Sequence, residues 1–322
     1  MKSDNVPLNM VYQTLAHIFE SYTQRENNGK LADYIPELAQ VDPSGFGLAI
    51  TTVDGFPYVF GNSDRPFTIQ SVSKPFVYGM ALQEFDVDRV IAKISVEPSG
   101  EAFNSISLYP DSGKPYNPMI NAGAIAATGL LWEKFKDKTF SRILSTFSDY
   151  AGVPLTLNES IFQSEKATGH RNRAIAHLLR NFDIIESEVE QPLDDYFKQC
   201  SINITCAQLA TMGATLANDG INPVTGKRVL DAALVPKVLS VMSTCGMYDY
   251  SGEWIYHVGL PAKSGVGGGV MAILPGQFAM ATYSPLLDPK GNSVWGVSIC
   301  RDIADTFSLH LYKVPRQNNQ VV

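Results

Sequence analysis

The chain has 322 residues, 45% of them apolar and 18% charged, with a formal net charge of −7. That length can bury a large core in one domain with two lobes or in two small domains, and the composition is ordinary for a globular protein. The acidic balance, with no basic cluster or stripe, argues against nucleic acid and anionic membrane surfaces as partners, and no run of the roughly 18 apolar residues that spans a bilayer occurs. The polar start, Met1-Lys2-Ser3-Asp4-Asn5, carries no apolar signal-peptide core, so a cytoplasmic location is expected. Cys200, Cys206, Cys245 and Cys300 form no C-x-x-C pair and read as reduced core residues, and the histidines show no metal-ligand spacing.

In chain order, residues 8–25 place Leu8, Val11, Leu15, Ile18 and Phe19 at three-and-four spacing, an amphipathic helix stopped by Glu26-Asn27-Asn28-Gly29. Residues 46–53 read as a strand, Asp54-Gly55 as a hairpin turn and 58–60 as the return strand. From there to about Gly220 the pattern is mainly helical, with helices expected at 71–82, 86–94, 118–132, 141–151, 174–179, 193–199 and 205–217. Another helical period covers 231–242. β-rich runs split by Gly and Pro follow at 254–257, 269–274, 277–283 and 293–300, and a last helix is expected at 302–312. Strands, then helices, then strands predict an α+β fold, an α/β sandwich. One antiparallel sheet would be built from both chain ends and flanked by helices, beside an all-helical lobe. No linker or repeat is visible. Residues 1–322 are therefore expected to form a single domain, with an α/β lobe at about 1–70 and 221–322 and a helical lobe at about 71–220.

The stretch Gln70-Ser71-Val72-Ser73-Lys74-Pro75-Phe76 has the form S-x-x-K and enters an apolar helical run. Residues three apart share a helix face, so Ser71 and Lys74 stand side by side at the first turn, where Pro75 is tolerated. A serine hydroxyl becomes a nucleophile when a base takes its proton, and a lysine whose pKa is lowered by burial can be that base. Backbone N–H groups at a helix start can also hold a developing oxyanion. The same residues equally describe a capped helix. Lys263-Ser264-Gly265, followed by Val266-Gly267-Gly268-Gly269, is a near match to the K-T-G element that accompanies S-x-x-K in serine β-lactamases and penicillin-binding proteins, with Ser for Thr.

Several stretches together resemble the serine-dependent glutaminases. They are Ala32-Asp33-Tyr34-Ile35-Pro36-Glu37-Leu38-Ala39, the Ser71–Lys74 segment, Glu97-Pro98-Ser99-Gly100 and Asn117-Pro118-Met119-Ile120-Asn121-Ala122-Gly123-Ala124-Ile125. Phe162-Gln163-Ser164-Glu165, Gly246-Met247-Tyr248-Asp249 and Gly259-Leu260-Pro261-Ala262-Lys263-Ser264-Gly265-Val266 complete the set. The resemblance runs from about residue 31 to residue 300. It implies a β-lactamase-like fold and the hydrolysis of L-glutamine to L-glutamate and ammonia, with a glutamyl-serine intermediate formed by a Ser-Lys dyad. It also implies no cofactor, no metal, and a homodimer or homotetramer. Ser71 is then the nucleophile, Lys74 its activating partner, and Tyr248 a proton shuttle to the leaving ammonia. The N–H groups of Ser71 and Val266 form the oxyanion hole. Substrate contacts come from Tyr34, Gln70, Ser71, Asn121, Glu165, Asn172, Tyr196, Tyr248 and Val266.

Those residue types suit a zwitterion with a distal amide. Its ammonium needs a carboxylate, which Glu165 supplies, and its carboxylate needs donors, which Asn121, Asn172 and tyrosine hydroxyls supply. Each also has a plain structural reading: Asn121 as a turn cap, Glu165 as a solvated acid, Tyr34, Tyr196 and Tyr248 as half-buried tyrosines, and Gly265 to Gly269 as close-approach glycines. Lys263 fits an organising role better than that of base. Ser73 inside the S-x-x-K turn and His170 in the loop between Glu165 and Asn172 depart from the strongest family patterns, and the tail beyond Pro315 matches nothing. The competing readings are a β-lactamase or peptidase, which would need export, and a sensor that keeps the pocket without turnover.

Overall fold

The computed structural model describes residues 8–101 and 105–313; the polar N-terminal pentapeptide and the tail beyond Pro315 lie outside them. The chain forms α1 (Leu8–Thr23), the short α2 (Pro36–Ala39), the hairpin β1 (Gly47–Thr52) and β2 (Pro57–Gly61), and β3 (Phe67–Thr68). A 3-10 turn, Gln70–Ser73, runs directly into α3 (Lys74–Glu84). Then come α4 (Val87–Lys93), α5 (Asn121–Phe135), α6 (Thr139–Ala151), β4 (Thr156–Leu157), α7 (Glu159–Thr168), α8 (His170–Asn181), α9 (Glu190–Cys200), β5 (Ile202–Ile204) and α10 (Cys206–Ala217). The last elements are α11 (Val235–Cys245), α12 (Ser251–His257), β6 (Ala262–Ser264), β7 (Gly269–Leu274), β8 (Phe278–Tyr283) and α13 (Val294–Phe307).

The five-stranded sheet has the order β2-β1-β8-β7-β6, and every pairing is antiparallel. Both chain ends therefore contribute, as the sequence pattern predicts. Side chains alternate across a strand, so each face has its own core. Leu48, Ile50, Val270, Ala272 and Met280 meet Leu15 and Phe19 of α1 and Ile299 and Ile303 of α13. Ala49, Met271, Ile273, Ala279 and Ala281 face the helical region. There α10 lies on β1, β7 and β8. It starts cleanly because Thr205 and Gln208 form a capping box.

Two β-rich runs are helices instead. Residues 254–257 belong to α12, where Trp254 is buried and its indole N–H donates to the Leu260 carbonyl at 2.7 Å. Residues 293–300 open α13, which Ser293 caps by accepting from the Gly296 N–H at 3.1 Å. The last helix thus spans Val294–Phe307, earlier than the expected 302–312. The sheet instead takes β6, in the Lys263–Ser264 run, as one of its edge strands. A second small sheet, β3-β5-β4, ties the approach to Ser71 to the end of α9.

Candidate active site

Ser71 stands in the 3-10 turn and Lys74 opens the α-helix after it. In a 3-10 turn, side chains three apart nearly eclipse, so the geometry pairs them more tightly than an α-turn would. Lys74 Nζ lies 3.0 Å from Ser71 Oγ and donates to Asn121 Oδ1 at 2.7 Å. Pro75 sits in the first turn of α3, where no intrahelical N–H is needed. Lys74 is 2% exposed, and burial pushes its pKa down to about 8. The residue before Ser71, Gln70, has φ +48°, a left-handed backbone that non-glycine residues rarely hold.

Asn121 does not cap α5. It is that helix's first residue, and its side chain links Lys74 to Asn172, whose Oδ1 accepts from Asn121 Nδ2 at 3.0 Å. Glu165 is buried on α7, a helix the sequence pattern did not reveal. It accepts from the Tyr34 hydroxyl at 2.8 Å. Burial raises its pKa, and hydrogen bonds from Tyr34 and Gln70 oppose the rise. Tyr34 is 47% exposed as a residue, yet its hydroxyl points inward to Glu165 and to Gln70 Oε1 at 3.3 Å.

Between α7 and α8 the chain turns at Gly169, so His170 is the first residue of α8 rather than part of a loop. A Cβ on Gly169 would lie 2.3 Å from the Phe197 ring and 2.7 Å from the Glu165 carbonyl oxygen. Only glycine lets the two helices fold this closely over α9, and the tight turn brings Glu165 and Asn172 to one cavity.

Tyr248 begins a 3-10 turn with φ +56° and shares a hydrogen bond with Ser71, which opposes the rise in its pKa that burial imposes. Val266 lies on the turn after β6, where the Gly265 N–H donates to the Gly269 carbonyl at 3.0 Å. A Cβ on Gly267 would sit 2.6 Å from the Thr68 carbonyl oxygen, so this turn approaches the segment leading to Ser71 as only glycine allows. Lys263 is fully buried, donates to the Ser264 carbonyl at 2.6 Å, and has its amine 4.3 Å from the centre of the Tyr248 ring. Burial, with the charge of Lys74, holds its pKa well below the usual lysine range.

Tyr34, Gln70, Ser71, Asn121, Glu165, Asn172, Tyr196, Tyr248 and Val266 all line one cavity of about 690 Å³. Lys74 reaches it only through Ser71 and Asn121. The buried residues Gln70, Glu165 and Tyr196 form its floor; exposed residues, among them Lys30, Asp33 and Arg171, form its mouth. Two segments of the wall, around Asn28 and Asp288, are joined by paired backbone bonds between Lys30 and Leu287 at 2.9 and 2.8 Å.

Cys200 also lines the cavity, a placement the sequence reading missed. It follows Tyr196 by four residues on α9, the spacing that would have shown it. Burial pushes its thiol up to about 12, so it stays protonated near neutral pH and is a poor nucleophile. Ser73 and Tyr196 hydrogen-bond to it. Behind them Gln199 accepts from Thr128 at 3.0 Å and reaches Ser73 at 3.5 Å. The described residues hold no cluster of metal-ligating groups and no helix long and apolar enough to cross a membrane.

The Glutaminase family model matches residues 29–312. Glutaminase 2 of Bradyrhizobium diazoefficiens is 54% identical over 286 residues, 89% of this chain and 46% of that protein, so the chain spans about half of that relative's length. Glutaminase of Microcystis aeruginosa is 50% identical over 302 residues, 94% of this chain and 89% of that protein. A solved structure described as a probable glutaminase, ybaS, matches 96% of this chain and 100% of its own with a TM-score of 0.92 and 40% identity.

Proposed function

Because the chain belongs to the glutaminase family, a family of glutamine hydrolases, we propose that it releases ammonia from L-glutamine through a glutamyl ester on Ser71, with Lys74 as the activating base. The observation that carries this reading is the 3.0 Å contact of a buried lysine amine with a serine hydroxyl at a cavity lined for a zwitterion. With a pKa of about 8, about a tenth of Lys74 is neutral one unit below that value.

Neutral Lys74 takes the Ser71 proton as Oγ bonds to the amide carbon. The oxyanion is held by the N–H groups of Ser71 and Val266. As the C–N bond breaks, the leaving nitrogen takes a proton from protonated Lys74 or from the Tyr248 hydroxyl. Water then attacks the ester, and the proton it loses returns Ser71 to its hydroxyl form. Glu165 holds the substrate ammonium, with Tyr34 and Gln70 fixing the carboxylate, while Asn121, Asn172 and Tyr196 serve the substrate carboxylate. A site that pairs both charges disfavours simple amides, which leave buried polar groups unpaired.

Ammonia release from L-glutamine, measured for wild type and Ser71→Ala, tests the reading. Wild-type release and its loss in the variant are expected. Equal, slow release by both would favour a pocket that binds without turnover.

A further inference from the structure

A second cavity, of about 130 Å³, adjoins the first and shares Tyr248 with it. Its inner wall is buried and includes Lys74, Asn117 and Cys245; its outer wall is exposed and includes Glu101, Thr244 and Asp249. It thus runs from Lys74 and Tyr248 to exposed residues that do not line the substrate cavity. It has room for several water-sized molecules and is far smaller than the substrate cavity, about 130 Å³ against about 690 Å³. Tyr248, held in a left-handed conformation with Lys263 against its ring, is the partition between the two spaces.

We propose that this second cavity is the exit path of ammonia. The proposal rests on the glutaminase reading. In that reaction the leaving nitrogen takes its proton from Lys74 or Tyr248, and both line the small cavity. At that moment the glutamyl group is still ester-linked to Ser71 and occupies the large one. Ammonia retained there would attack the ester and regenerate glutamine, so a separate path commits the acyl-enzyme to hydrolysis. A neutral molecule of water's size fits the space. Once it meets water at the outer end and takes up a proton, Glu101 and Asp249 attract it outward.

The test narrows the outer wall without touching the dyad. Thr244 is exposed on the last turn of α11, and a Cβ on Gly252 meets no atom within 4 Å, so both accept a large side chain. Thr244→Trp and Gly252→Trp are compared with wild type in two assays. One is turnover of L-glutamine; the other is the rate at which a glutamine-mimicking diazoketone labels Ser71, a reaction that releases no ammonia. The expected result is kcat lower by on the order of tenfold, because product release then limits turnover, with the labelling rate unchanged. Wild-type kcat in both variants overturns the proposal. So does a loss of labelling in proportion to the loss of turnover in both, which would make the cavity only a support for the dyad. Absence of ammonia release by wild type would instead sink the glutaminase reading itself.

Discussion

The buried amine of Lys263 lies 4.3 Å from the centre of the Tyr248 ring and donates to the Ser264 carbonyl, with no carboxylate among the described residues hydrogen-bonded to it. An unpaired charge at such depth is costly, and burial accordingly holds this lysine towards its neutral form. Its role follows from position. It sits on the edge strand beside the Val266 turn and fixes the tyrosine that touches Ser71.

Lys263→Met keeps the stem and removes the amine. Because Tyr248 then loses its neighbour, kcat should fall on the order of 10²-fold, the lower range for one acid–base group, with KM changed little. Steady-state kinetics on L-glutamine checks this, and an unchanged kcat would show that Tyr248 does not depend on Lys263.

Lys74→Met should reduce turnover by about 10²- to 10⁴-fold while the fold survives. The native lysine is buried with a depressed pKa, so its charged form is costly in the folded state near neutral pH. The variant should therefore melt at the same or a higher temperature. Calorimetry beside the ammonia assay separates the two effects; a large drop in melting temperature would assign Lys74 to structure.

Glu165→Gln keeps the shape and loses the charge. A hydrogen bond to a charged group contributes roughly 1.5–3 kcal/mol, so kcat/KM should fall on the order of 10- to 100-fold, most of it in KM. A fall confined to kcat would mean that Glu165 does not hold the substrate ammonium.

The pH profile has a definite sign. Lys74 acts as base only when neutral, and its pKa is pushed down to about 8. kcat/KM should climb about tenfold per unit well below that value and level off above it. Lys74→Met should lose this limb, and a flat wild-type profile would argue against a titrating base.

The hairpin at Asp54-Gly55, the sheet drawn from both ends and the S-x-x-K pairing were legible because they depend on local turn chemistry and short spacings. The runs 254–257 and 293–300 misled because short aromatic and β-branched stretches fit strand and helix alike, and the Ser293 cap decides only in context. Strand β6 was hidden because its residues carry the motif rather than an apolar alternation. Helix α7 was hidden because it is mostly polar, with Ile161, Phe162 and Glu165 as its buried residues. The second cavity could not be read at all, since it joins residues from α3, α11 and the segment before α5.

The claim that Ser71 is the nucleophile can be tested most directly by intact-mass and peptide mass spectrometry after exposure to a glutamine-mimicking diazoketone. A single adduct mapped to Ser71, forming faster as pH rises through about 8, is the expected result. An adduct on Cys200, whose thiol also lines the cavity, with Ser71 unmodified and ammonia release persisting in Ser71→Ala, would contradict it.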